Sequence, residues 1–418
     1  MSGSTAPFVH KLRRLRERPL LKQAAPESMS TPRHPARENS FTFLRMALAL
    51  AVVVGHSFSL GGFGSDPVYH WSGSRMALHE IALQCFFILS GYLLTGSLTA
   101  QPSLTRFTLR RCFRILPGYW VSLLVTALVL TPAIFGYTHP TGFRYQSSLV
   151  VGEVNALSYL TRNALLFGGQ VTIPPLFSTN PLSGIVNGSL WSIFFEACCY
   201  LALGLASLAG LLRRRNFVLG LFALLYLPCL IHAVFPIGVP PPTANWHRIL
   251  LVAFHPAGPN VLLPFVAGVA AHFIVRQRPV WHARMFGIAA LAFIAAIPLG
   301  AGRVFSPVVL PYLLLSLGEK LPCKNWERAG DFSYGTYIYA FVIQQCLVVL
   351  GVHHQGIAVF LATSLALSVL AGALSWFMIE RPAIRMGDQL LAKIMGGKVA
   401  KVRPSENVRA TLPIPAAN

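Results

Sequence analysis

Charge is scarce in this chain. Asp, Glu, Lys and Arg make up only 11% of its 418 residues, against about a quarter in soluble domains, and only thirteen residues are acidic. That excludes an ordinary soluble enzyme. Cysteine patterning is missing as well. Cys85, Cys112, Cys198, Cys199, Cys229, Cys323 and Cys346 form no CxxC pair and no metal-ligand spacing. They read as small core hydrophobes, which leaves neither a disulfide framework nor a metal site to expect. No cleavable signal peptide is visible, because the first apolar run follows about forty polar residues and lacks a small-x-small exit. Nor is there an internal repeat or an appended soluble domain.

What fills the chain instead is apolar. Hydrophobic residues reach 54% and the mean hydropathy is +0.58. Runs of membrane-spanning length, roughly 20 residues each, fall at 41–60, 78–98, 117–136, 187–212, 217–236, 248–275, 285–301, 304–318, 332–351 and 357–379. The expected fold is therefore an all-α integral membrane protein with about ten transmembrane helices. Three parts are expected: a disordered basic cytoplasmic arm at 1–38 ("KLRRLRER"), a membrane domain at 39–385, and a basic cytoplasmic tail at 386–418.

The net charge of +21 does not point to nucleic acid. Lys and Arg sit in short clusters between apolar runs, at 11–22, 106–114, 213–215, 276–284, 320–328 and after 380, not along one polar face. These are alternate loops, so the positive-inside rule places them all, with both termini, in the cytoplasm. The intervening loops at 61–77, 137–186 and 237–247 then face the other side, and the longest ("YTHPTGFRYQSS…") is aromatic and polar enough to contact a substrate.

Three placements run against the apolar background. In "FLRMALALAVVVGHSF" (43–58), Arg45 and His56 lie eleven residues apart, about 16 Å along a helix and within about 20° of azimuth, so they line one face of the first span. Arg45 alone would pass for a snorkelling anchor, but an ionisable His56 inside a span faces a cavity or a partner. In "NGSLWSIFFEACCY" (187–200), Ser192, Glu196 and Tyr200 share a face at i, i+4 and i+8. Glu196 reads as the one acidic residue well inside a span, needing His56 or Arg45 as partner unless it makes a purely structural hydrogen bond. In "LRRCFRILPGYW" (109–120), Arg110, Arg111 and Arg114 converge at a membrane edge. Their guanidinium forks suit phosphate oxygens, and the same cluster would also serve as a topology signal or an anionic-lipid contact.

Together these segments resemble the acyltransferase-3 family of bacterial integral membrane O-acyltransferases, over approximately residues 39–385. The elements are Arg45 with His56, "FFILSGYLL" (86–94), "RRCFR" (110–114), "SLWSIFFE" (189–196), "FSYGTYIY" (332–339) and "ERP" (380–382). The resemblance implies about ten helices in the cytoplasmic (inner) membrane of a bacterium. It also implies transfer of an acyl group, commonly acetyl from acetyl-CoA, to a hydroxyl of a glycan or lipid-linked sugar of the cell envelope. Many members carry His at the end of the "SYxxYxxH" segment. Here Ala340 stands at that place, and the segment is left out of the expected site.

Acyl transfer from a thioester to an alcohol needs a base and support for an oxyanion. His56 is placed to be the base, or to be acylated itself and pass the group on. Arg45 would accompany the pantetheine arm or its pyrophosphate, and Arg110, Arg111 and Arg114 would hold the nucleotide phosphates. Glu196 would orient His56 or balance Arg45, and Trp191, Ser192, Tyr200 and Ser90 would shape the substrate pocket. Acyl-CoA enters as a co-substrate; no permanently bound cofactor, metal or nucleic acid is expected. The competing reading is a proton-coupled transporter or flippase of glycan or lipid with His56 and Glu196 as its relay, against which stand the missing inverted repeats and the arginine cluster.

Overall fold

A chain this apolar must satisfy its backbone polar groups internally, and a helix does so within one segment. The computed structural model describes residues 39–138, 152–234, 258–275 and 281–394, and every regular element among them is helical. The only β-type pairing there is an isolated antiparallel bridge between Thr172 and Ile185. The helices are α1 (Phe41–Leu60), α2 (Pro67–Trp71), α3 (Leu78–Ala100), α4 (Leu104–Thr138), α5 (Ala156–Asn163), α6 (Leu190–Leu208) and α7 (Arg215–Val234), followed by α8 (Gly258–Val275), α9 (Ala283–Ala296), α10 (Gly302–Lys320), α11 (Ser333–Val349) and α12 (Ile357–Ile394).

Five of these, α1, α3, α4, α6 and α12, are long and apolar enough to cross a membrane. Shorter apolar stretches lie in α7, α8 and α9. α10 contains Pro307 and Pro311, and α11 has seventeen residues.

The expected runs at 41–60 and 78–98 become α1 and α3 almost residue for residue. The run at 117–136 is only the second part of α4. Its arginines belong to the same helix, which passes Pro117 and a π-turn at Thr126–Leu130 without breaking. The run at 248–275 is described from residue 258 onward; the arm at 1–38, residues 139–151 of the long loop, the whole of the 237–247 loop and the tail beyond 394 lie outside the described residues. One expected boundary is corrected. The last span does not stop at 379, because α12 continues through a π-turn at Trp376–Glu380 to Ile394. The first nine residues of the expected tail are therefore helical.

Small residues bring the helix backbones into contact, as packing between apolar helices requires where lipid offers no hydrophobic drive. A Cβ on Gly91 of α3 would lie 2.1 Å from the Phe265 carbonyl of α8, and one on Gly268 would lie 2.1 Å from the Ile88 carbonyl. Gly335 of α11 meets Gly372 of α12 in the same way. The largest apolar core joins α3, α4, α5, α6 and α11 through Phe87, Tyr119, Tyr159, Ile193 and Ile338. The chain between α5 and α6 is tied to α11 by side-chain amides. Asn187 donates to the Ile338 carbonyl at 2.9 Å, and Gln345 donates to the carbonyls of Leu182 at 2.9 Å and Ile185 at 2.7 Å. Non-helical backbone packed against a core helix is thereby given the partners it needs.

Candidate active site

Three helices and the segment ahead of α11 bring charged residues together in the bundle. Arg45 of α1 meets Asp331, just ahead of α11, at 3.1 Å. Arg114 of α4 spans two carboxylates, Asp331 at 2.7 Å and Glu380 of α12 at 2.7 Å. Both acids are buried, Asp331 at 2% and Glu380 at 0% exposure. Two arginines against two carboxylates make the group neutral, and a buried charge persists only when paired and hydrogen-bonded. The remaining oxygens are also filled: Asp331 accepts from the Ser333 hydroxyl at 2.5 Å and Glu380 from the Ser375 hydroxyl at 2.9 Å. Burial pushes the Asp331 carboxyl up, but Arg45, Arg114 and the Ser333 donors outweigh it and hold it below the usual carboxylate range. The Arg114 guanidinium further sits 5.2 Å from the Trp376 ring centre and 5.8 Å from that of Tyr334.

Directly beside this group is a pocket. Arg45, Ser90, Ser192, Glu196, Ser333 and Tyr337 supply its polar lining, and Leu83, Phe86, Phe87 and Tyr334 its apolar one. Ser192 and Tyr337 share a hydrogen bond of 2.5 Å across α6 and α11. Glu196 accepts from the Tyr200 hydroxyl, one turn along its own helix.

A second pocket lies at the junction of α3 and α4 and is lined by Ser97, Leu98, Gln101, Arg106, Phe107, Arg110 and Arg111. Arg110 is bound to Asp388 of α12 at 3.3 Å, and Arg106 donates to Gln101. The Arg111 guanidinium lies 6.0 Å from the centre of the Tyr200 ring, and its buried Nε makes no hydrogen bond. Arg111, Tyr200 and Glu196 thus form a polar file from the arginine pocket to the pocket at Arg45.

His56 stands apart from both pockets. Its ring stacks on His79 of α3, with centroids 4.2 Å apart and planes 25° from parallel, and meets the edge of Phe341 of α11 at 5.5 Å.

Several expected contacts are not made. Arg45 pairs with Asp331 and not with Glu196, while Glu196 bonds to Tyr200 and not to His56. Arg114 is committed to two carboxylates and does not join Arg110 and Arg111 around their pocket. Trp191 points outward, 37% exposed, with its edge on Phe195, so Ser192 lines the pocket and its neighbour does not. Nor is Glu196 alone among intramembrane acids. Glu380 is more deeply buried; it lies one residue beyond the apolar run at 357–379, so hydropathy alone puts it outside the span. The "SYGTYIY" segment set aside for its missing His supplies Ser333, Tyr334 and Tyr337 to the pocket. Asp331 precedes that segment, His79 opens the second apolar run, and Arg106 opens the basic cluster. Each was visible as a residue, but its partner was not.

The chain is similar to known proteins over most of its length. A family model described as an acyltransferase domain covers residues 38–379. An O-acetyl transferase of Shigella phage Sf6 is 26% identical over 82% of this chain and 96% of its own length. Nodulation protein 10 of Rhizobium leguminosarum bv. viciae is 26% identical over 85% of this chain and 95% of its own. Acyltransferase MdmB of Streptomyces mycarofaciens is 24% identical over 85% and 94% respectively. No solved structure matches the chain. The segments that build the neutral charge group and the pocket beside it fall within or next to the matched region, and the chain belongs to the acyltransferase-3 family of membrane acyltransferases.

Proposed function

We propose that the protein is a multi-pass enzyme of the bacterial inner membrane that moves an acetyl group from cytoplasmic acetyl-CoA to a hydroxyl of an exported or cell-envelope glycan. The observation that carries this reading is the polar file from the arginine pocket through Tyr200 and Glu196 to the pocket at Arg45. A bundle this apolar needs no such file for stability, whereas a donor with a polyanionic nucleotide end and a long neutral arm does. Arg106, Arg110 and Arg111 hold the phosphates through charge-assisted hydrogen bonds. The pantetheine arm lies along Tyr200, Glu196 and Arg45 and runs on past Ser90, Ser192 and Tyr337, so that the thioester leaves this pocket toward His56, about 16 Å from Arg45 along α1.

His56 takes the proton of the acceptor hydroxyl as its oxygen attacks the thioester carbonyl. The C–S bond then breaks, and the CoA thiolate recovers that proton from the imidazolium. Support for the reading comes from the family and from the similarity to the O-acetyl transferase of Shigella phage Sf6.

The test is His56→Ala at matched membrane levels, read as alkali-labile acetate on envelope glycans. Near-complete loss of the ester is expected, and wild-type acetylation by the variant sinks the assignment.

A further inference from the structure

We infer that His79 is a positioning residue for His56: its ring face fixes the plane of the His56 imidazole and supports the imidazolium formed when His56 takes a proton. The inference rests on the proposed role of His56 as base.

Several independent features converge on the pair. The two rings are stacked, 4.2 Å between centroids and 25° between planes, and the Phe341 ring packs against His56 at 5.5 Å and 74°. Held this way, His56 has little freedom to rotate about its side-chain bonds. The close approach of the two helices is built into the backbone. Gly55 is the neighbour of His56 in α1, and a Cβ there would lie 2.8 Å from the His79 amide nitrogen and 3.3 Å from its Nδ1. Any larger residue at 55 would push α3 away and unstack the rings. His79 is held from its own side as well, because Asp66 caps the start of α3 by accepting from the Leu78 amide at 3.2 Å. Glu80, the next residue, accepts from the Ala77 amide at 3.3 Å and meets Arg303 of α10 at 3.6 Å.

The chemistry of the stack follows from that geometry. A cation is favoured over the face of an aromatic ring, and two unit charges this close repel. While His56 carries the extra proton, His79 therefore stays neutral and presents its π-face. The buried His79 Nδ1 has no hydrogen-bond partner, which fits a residue used for its face and not for a hydrogen-bonded relay.

The experiment uses the full chain in inverted membrane vesicles, with radiolabelled acetyl-CoA as donor and label incorporated into alkali-labile glycan esters as the readout. His79→Ala is expected to lower kcat by about tenfold or more through loss of orientation, with KM for acetyl-CoA unchanged. His79→Phe, which keeps an aromatic face and no titratable nitrogen, should restore most of that rate. His79→Gln, polar but faceless, should behave as His79→Ala. Detergent unfolding temperatures identify any variant that fails to fold. If His79→Phe is one of these, the Gln variant decides alone, and a wild-type rate for it overturns the inference. Rescue by Gln and not by Phe, a change confined to KM, or wild-type kcat in His79→Ala each overturns it too. His56→Ala is run alongside: if that variant is active, the base assignment itself fails, whereas an inactive His56→Ala beside a fully active His79→Ala defeats only the role of His79.

Discussion

Three arginines of one sequence cluster have two different fates. Arg110 and Arg111 line a pocket, while Arg114, one turn further on, is consumed by Asp331 and Glu380. Arg114→Lys keeps the positive charge but loses the two-armed fork that joins the carboxylates. It is expected to lower stability by about 2 kcal/mol, the scale of a lost charge-assisted hydrogen bond, while the affinity of folded protein for CoA stays near wild type. Arg111→Lys is expected to do the reverse, weakening CoA binding about tenfold at unchanged stability. Calorimetric CoA binding and thermal unfolding in detergent, measured on both variants, separate the two roles.

Among the elements, α3 and α8 are the most tightly joined, and glycine is the reason. At Gly91 a Cβ would meet backbone, the Phe265 carbonyl, not the movable end of a side chain. Gly91→Val therefore forces the helices apart at the turn that also carries Ser90 into the pocket. Overpacking of this kind costs about 1–3 kcal/mol. A lowered unfolding temperature is expected, together with a raised KM for acetyl-CoA. Gly220 of α7, where nothing lies within 4 Å, is the control: Gly220→Ala should not lower the unfolding temperature, since Ala favours a helix interior over Gly, and should leave the KM unchanged.

For the molecule as a whole, the arrangement of α1 and α11 orders the site along one axis, with the ion group at one level and His56 about 16 Å from Arg45 along α1. If Arg45 marks the cytoplasmic side, the loop ahead of α3 and the segment ahead of α11 lie on opposite sides of the membrane. Ser74 and Lys324 are exposed in these two segments. In a background without other reactive thiols, Ser74→Cys is expected to react with a membrane-impermeant maleimide in whole cells, and Lys324→Cys only in inverted vesicles. Labelling in the opposite pattern would reverse the orientation and with it the direction of acetyl transfer.

Composition and periodicity were enough to determine the class of this protein. Runs of apolar residues with basic clusters between them leave helices as the only economical structure, and α1 and α3 appear where those runs lie. The odd residues were legible too, because Arg45, His56, Glu196 and the arginine cluster each contradict their surroundings. Their partners were not legible. Asp331, 286 positions from Arg45, and Glu380, 266 from Arg114, meet them only because α11 and α12 pack against α1 and α4. The stack of His79 on His56 likewise depends on Gly55 letting two helices close. A charge out of place in an apolar run announces that it must be paired; which group pairs with it is settled by helix packing, an interaction between surfaces that local sequence does not encode.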